Sequence, residues 1–428
     1  MEAEIIKKDS KSITIQVTIP ISEDMLSSEE AIQKGVNQAG LLATQHALSQ
    51  HDTNGAPIKV GERKYTSKGK ISKTYQCPFG EFELCRHVYL YFVRSMKYQS
   101  NEGGSTYCPL DNDARILVFS TPKFSKMVSH KYSQTGSRQV QCDLKDNHGR
   151  SISHTYIQSI SQAVGKVALS KTSWEYTTGV EASDVSSIGV SLDGTCMLMC
   201  EDGWRQAMVG SISLYDDKGE RMHTTYIAGA PEHGKETFLS DFTKEIEKIK
   251  KTYPDKLYVG VADGAAENWK FLQPVVDTEV LDFFHATEYL AKVSNAAFKR
   301  KYEAEEWLKQ TSHILKHEES GAKLLLEAMK SLSKKKISQA KKEIIETAIT
   351  YFTNHLHQMD YESFLSKNLP IGSGVIEAAC KVIIKQRMCN SGMKWTDYGA
   401  KNILVLRCFN ETDGKWKQFW DKVARWGY

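Results

Sequence analysis

Apolar and polar side chains alternate strictly through residues 11–19, the period of a half-buried strand. Ser27 and Ser28 ahead of Glu29 and Glu30 read as the capped start of a helix running to about Ser49. Between 51 and 107, Gly, Pro and Lys punctuate short β-like runs, notably 83–93, which predicts a small β-rich unit. Thr121-Pro122 opens a further helical region. Residues 138–144, the turn Asn147-His148-Gly149-Arg150 and residues 151–168 have the pattern of a helix-turn-helix, with Ser151 as the cap of the second helix. From 187 the pattern changes. Three consecutive strand-like runs (187–200, 206–215, 222–228) are joined by Asp202-Gly203 and Asp217-Lys218-Gly219. An amphipathic helix over 235–252 follows, then the continuous apolar run 257–262 of a strand buried on both faces. A short helix over 267–276 and a strand over 279–284 complete this part. Residues 286–368 are charged, helical sequence without a strand signal, closed by Pro370.

These elements give an α/β chain, mixed α+β overall. Its expected parts are an N-terminal β-rich/α unit (1–110), a helical, helix-turn-helix-like segment (111–180), the first part of a core (187–285), a helical insertion (286–368) and the last part of the core (369–428). A length of 428 residues calls for more than one structural unit, and 40% hydrophobic residues is globular composition. No apolar run approaches the length of a membrane span. Nine cysteines, an odd number at irregular spacing without a C-x-x-C pair, point to reduced thiols and a cytoplasmic protein. Cys77, Cys85, Cys108 and Cys142 are too scattered for a zinc ribbon. The net charge of +4 is ordinary, but residues 381–428 carry a local excess of cations among aromatics such as Trp395, Tyr398, Trp416 and Trp426. Such a tail either tracks a phosphate backbone and stacks on bases, or is an amphipathic helix pair with its aromatics in the core.

Three acids carry the candidate chemistry. Asp193 lies inside the first strand of the core, and Asp263 ends the buried run 257–262, where a bare charge is costly unless paired or metal-bound. Each precedes a glycine, which leaves room for a close ligand; the plain alternative is an Asp-Gly turn. Glu377 follows the Gly-Ser-Gly turn at 372–374, with Lys381 and Lys385 at i+4 and i+8 of the same helix. Alone it reads as a surface Glu–Lys pair, and its position after the core is what makes it a candidate. Carboxylates of this kind suit a pair of Mg2+ ions in phosphodiester chemistry, with no need for His or Cys ligands. For DNA, His154 and Gln158 on the second helix of the helix-turn-helix could meet base edges, and Lys381, Lys385, Arg387 and Lys394 could meet phosphates. Plain helix packing is the alternative for the former.

Three meander strands, a helix, a strand, a helix and a strand is also the element order of a ribonuclease H-like core. The motifs Ser-Leu-Asp-Gly-Thr at 191–195, Ala-Asp-Gly-Ala-Ala-Glu-Asn-Trp at 262–269, Asp-Phe-Phe-His at 282–285 and Gly-Ser-Gly-Val-Ile-Glu-Ala-Ala-Cys-Lys at 372–381 resemble those of insertion-sequence DDE transposases of the Kra-four group. The resemblance covers about 187–410. It implies that Asp193, Asp263 and Glu377 bind two Mg2+ ions (Mn2+ able to take their place), and that a helical insertion separates the second Asp from the Glu. It also implies that Asp282 and His285 sit near the site as an accessory pair. The expected activity is cleavage at the ends of a mobile element and joining of 3′-hydroxyl ends to target DNA, by a homo-oligomer assembled on double-stranded DNA. The alternatives are a transposase-derived DNA-binding protein without catalysis and a structure-selective nuclease with the same core.

Overall fold

The computed structural model describes residues 2–91, 106–171, 173–232, 234–334 and 337–428. The chain divides into two compact units, residues 1–172 with 417–428, and residues 173–416. The last twelve residues belong with the N-terminal unit.

In the N-terminal unit, β1 (Glu2–Lys8) and β2 (Ile13–Thr18) form an antiparallel hairpin beside α1 (Met25–Ser49). The cap of α1 is Asp24, whose carboxylate accepts the Ser27 N–H, rather than a serine. Strands β3 (Ile58–Val60), β4 (Arg63–Cys77), β5 (Gly80–Leu90) and β6 (Thr106–Tyr107) make a four-stranded antiparallel sheet in sequence order. Phe92 and Val93, the end of the β-like run 83–93, lie outside the described residues. After α2 (Pro109–Asp113), three helices pack together: α3 (Pro122–Gln134), α4 (Ser137–His148) and α5 (His154–Ser170). Gly149 makes the bend in the left-handed conformation, at φ 62°. The cap of α5 is Ser153, which accepts from the Tyr156 N–H; Ser151 lies two residues outside the helix.

The second unit is built on one five-stranded sheet. Its strands are β7 (Ser187–Met199), β8 (Gly203–Tyr215), β9 (Arg221–Gly229), β10 (Leu257–Ala262) and β11 (Thr278–Leu281), in the spatial order β11-β10-β7-β8-β9. The first three form a meander, whereas β10 runs parallel to both β7 and β11. Helix α6 (Glu236–Thr252) crosses from β9 to β10 with Phe238, Phe242, Ile246 and Ile249 buried, and α7 (Ala266–Leu272) crosses from β10 to β11. The strand expected to end at 284 stops at Leu281, and the chain turns directly into α8 (Phe283–Ala297). With α9 (Lys301–His317), α10 (Gly321–Ser333), α11 (Gln339–His355) and α12 (Tyr361–Ser366), it makes a segment of helices and connecting turns, without a strand among its described residues. Lys335 and Lys336, the end of the basic run at 333–336, lie outside them. These helices share one buried core with the sheet, from Ile188, Val190 and Val259 through Leu290 and Met329 to Phe352.

The chain returns to the sheet as α13 (Gly374–Ala379), which continues through a π-helical stretch, Cys380–Lys385, into α14 (Gln386–Met388). The wider π turn breaks the i, i+4, i+8 alignment expected of Glu377, Lys381 and Lys385. It also loosens backbone carbonyls, and Arg407 of α15 (Asp397–Glu411) donates its guanidinium to those of Val382 and Ile383. The chain ends in α16 (Lys415–Trp426). No helix among the described residues is long and apolar enough to cross a membrane.

Candidate active site

β10 pairs with β7 only from Leu257–Ser187 to Gly260–Val190, and the two strands then part. Farther along, Met199 of β7 meets Trp395. Among the described residues β7 therefore has no strand neighbour on that side from Ser191 to Leu198. Helix α13 and the π stretch pack against β7 and β8. Asp193 lies three residues beyond Val190 within β7, and Asp263 lies three beyond Gly260, directly after the last residue of β10. Open parallel sheets gather ligands at the carboxyl ends of strands that diverge in this way.

Burial holds the Asp193 carboxyl above the usual carboxylate range, and the negative charges of Asp263 and Glu377 add to that push. The Gly194 N–H donates to Asp193 at 2.6 Å, and the Cys380 Sγ lies 3.7 Å from its other oxygen. Beside that carboxylate, the buried Cys380 thiol is pushed up to about 12. Asp263 accepts from the Ala265 N–H at 3.2 Å and from the Asn268 amide at 3.1 Å, which fixes its orientation. Asn268 is buried, so its place in the motif at 262–269 has a physical reason.

Glu377 accepts the Ser373 hydroxyl at 2.8 Å. Ser373 also donates its backbone N–H to Asp282, which is wholly buried, caps α8 and accepts the His285 N–H at 2.7 Å. Despite the upward push of burial, these donors and the nearby His285 hold the Asp282 carboxyl below its ordinary range. The His285 Nδ1 lies 3.2 Å from Asp282 Oδ1 without hydrogen-bond geometry. Ligand atoms of Asp282, His285 and Glu377 all lie within 4.8 Å of one another, the single such group of His, Cys, Asp or Glu among the described residues. The accessory pair of the sequence reading thus adjoins Glu377, whereas Cys77, Cys85, Cys108 and Cys142 form no metal-sized group.

The structure departs from the sequence reading at several positions. The glycines after the two Asp residues are not open to a ligand. A Cβ on Gly194 would meet the Gln206 side chain at 2.4 Å, and one on Gly264 would meet the Tyr351 ring at 2.4 Å. Tyr351 comes from the helical insertion and stacks on Tyr289 with ring centroids 3.9 Å apart. Tyr351, Asn268, Ser373 and Cys380 went unrecognised; only the last three lie inside motifs that could have flagged them. Lys381, Lys385 and Lys394 are exposed, but Arg387 is fully buried under the Trp395 ring, 5.0 Å from its centroid. Enclosed in this way, the Arg387 charge is not available to a phosphate. Half of the C-terminal aromatics are likewise interior (Trp395, Phe409, Phe419 and Trp420), while Tyr398 and Trp426 are exposed. In the N-terminal unit His154 and Gln158 are half-buried. A groove of about 550 Å³ lies beside the start of α5, but Lys73, Gln76, Phe119, Ser151, Ser153 and Tyr156 help line it, and neither His154 nor Gln158 does.

A comparison with protein-family models gives no match, and a comparison with curated proteins gives none either.

Proposed function

We propose that the chain is a Mg2+-dependent DDE transposase that cuts DNA at the ends of its element and joins the 3′ hydroxyls to target DNA. The observation that carries this reading is that the charges of Asp263 and Glu377, from distant parts of the chain, act on the buried carboxyl of Asp193, although the three do not themselves form a metal-sized group among the described residues. Asp193 and Asp263 follow the point where two parallel strands part, and Glu377 comes from the helix that follows the insertion and adjoins Asp282 and His285. The sheet order, a three-strand meander continued by two parallel strands, supports a ribonuclease H-like core.

The donor set fits divalent metal. All three groups offer oxygen, and none of the three forms an ion pair among the described residues. Asp193, Asp263 and Glu377 would hold the ions, with His285 and Asp282 at the margin. Bound there, Mg2+ would activate the attacking oxygen and stabilise the leaving one. The protein's part is positional. Asn268 and the Ala265 N–H orient Asp263, Cys380 and Gly194 orient Asp193, and Ser373 ties Glu377 to Asp282. Exposed Lys381, Lys385 and Lys394 lie on the same returning segment and suit backbone phosphates.

The test uses the DNA flanking the gene as element ends, a supercoiled target and Mg2+. The expected result is strand cleavage and joining by the wild type. Asp193→Asn, Asp263→Asn and Glu377→Gln should each lose at least about 100-fold in cleavage while still binding the ends. Near-normal cleavage by any one of them removes that residue from the metal set. Binding without any cleavage by the wild type would leave a DNA-binding protein instead.

A further inference from the structure

Asp263 directly follows β10, and the space that a side chain would take at the next residue, Gly264, belongs to Tyr351 of α11. A Cβ on Gly264 would lie 2.9 Å from the Tyr351 hydroxyl oxygen, so the phenol reaches the neighbour of a candidate metal ligand. The charges of both Asp263 and Asp282 act on it, and Asp282 belongs to the group it forms with His285 and Glu377. The ring is held firmly. Tyr289 of α8 stacks on it with centroids 3.9 Å and planes 14° apart, and the ring of His355, one turn on along α11, is 4.9 Å away. The Lys292 ammonium lies 4.6 Å from the centre of the Tyr289 ring and holds the stack from α8. In this fixed setting the Tyr351 hydroxyl has no hydrogen-bond partner among the described residues, yet it is not sealed from solvent. Asp263 takes its donors from Ala265 and Asn268 instead. Burial first, then Tyr289, Asp263 and Asp282, hold the phenol above its ordinary range, so it stays protonated and acts as a donor. An unused donor pinned beside acids that it does not bond is arranged for an acceptor that arrives with a ligand.

We propose that Tyr351 is a catalytic residue whose hydroxyl donates a hydrogen bond to a non-bridging oxygen of the scissile phosphate. The role rests on the transposase reading and gives the helical insertion a part in the chemistry, since α11 supplies the donor. The acids of the site attract cations and repel a phosphate. A neutral donor fixed among them attracts the phosphate without adding charge. Because Tyr289 holds the ring before substrate arrives, little reorganisation is needed as charge develops in the transition state. The proton stays on the phenol throughout, and no covalent bond to Tyr351 forms or breaks.

The test compares the full chain with its Tyr351→Phe variant in cleaving the DNA that flanks the gene, with Mg2+. Phenylalanine keeps the ring, its stack and the filling of the Gly264 space, so melting and binding of the ends should match wild type. The rate of cleavage should fall at least about tenfold. Ends carrying sulfur at each non-bridging position of the scissile phosphate in turn give a second readout, since sulfur accepts hydrogen bonds poorly. One of the two diastereomers should slow the wild type more than it slows Tyr351→Phe, as expected when both changes remove the same bond. A variant that cleaves like wild type overturns the proposal and leaves Tyr351 as packing against Gly264. A slower variant with the same sulfur effects as wild type overturns it too, and makes the hydroxyl a group that acts through Asp263. Both of these outcomes spare the transposase reading, whereas a wild type that cleaves nothing overturns that reading and this role together.

Discussion

At the scale of single residues, the candidate site stores unfavourable charge. The ordinary carboxyl value for Asp193 is 3.8, and in the folded protein it is held higher, first by burial and then by the neighbouring acids. A raised value means that the folded chain keeps this proton to higher pH than the unfolded one does. The stabilising contribution is present at pH below 3.8 and is lost as pH rises through the folded value. Asp193→Asn should therefore melt about 1–3 °C above wild type at neutral pH, with the gap closing near pH 4. Millimolar Mg2+ should raise the wild-type melting temperature and move the variant much less, since binding to the folded state stabilises by mass action. Calorimetry with and without chelator checks both; equal curves for the two proteins would show that Asp193 carries neither burden. Gly264 gives a second residue-scale expectation. Its missing Cβ makes room for a Tyr351 ring pinned by Tyr289, so Gly264→Ala should cost ~1–3 kcal/mol. Adding Tyr351→Ala should recover part of that loss, read as coupling in a double-mutant cycle by urea unfolding.

At the scale of elements, capping and helix pitch decide what the site can reach. Asp282 closes the first turn of α8 and receives the buried Ser373 N–H. Asp282→Ala should lose about 1 kcal/mol for the cap and another ~1–3 kcal/mol for the stranded donor, whereas Asp282→Asn should keep most of the cap. Thermal unfolding separates the two variants. Arg387 is buried while Lys381 and Lys385 are exposed, so these residues should part company experimentally. Arg387→Ala should destabilise by ~2 kcal/mol or more, because it removes buried packing against Trp395. Lys381→Ala with Lys385→Ala should leave stability within about 0.5 kcal/mol and flatten the salt dependence of DNA binding by roughly one unit for each phosphate no longer held. Titrations at several salt concentrations decide this, and an unchanged slope would remove these lysines from the DNA surface.

At the scale of the molecule, the chain closes its N-terminal unit with its own far end. Residues 417–428 belong with residues 1–172, and Phe419 and Val423 are buried. The Arg115 side chain lies about 3 Å from where a Cβ on Gly427 would sit, and Tyr428 lines a cavity beside Arg86 and Asp111. Deleting 417–428 should therefore speed proteolysis within 1–172 while leaving 173–416 protected. Cleavage patterns by mass spectrometry would show it, and loss of protection in 173–416 instead would contradict the division into units.

Side-chain period and turn chemistry alone determined most of the second unit. The limits of 257–262 as a strand, the meander with its Asp-Gly turns and the helical character of 286–368 were all legible, because alternation, continuous apolar runs and 3.6-residue stripes are local properties. Asp193 and Asp263 stood out as candidates for a related reason, since a carboxylate within or ending a buried strand is costly unless paired or metal-bound. Other features depend on partners far away in sequence. The run at 279–284 looked like one strand, but Asp282 is taken up by Ser373, 91 residues on, and becomes a helix cap. The π turn's carbonyls at Val382 and Ile383 are met by Arg407, from α15. The room left by Gly264 is filled by a tyrosine from α11. Each of these joins segments brought together only when the sheet and the insertion share one core, and no local pattern encodes which distant side chain will arrive.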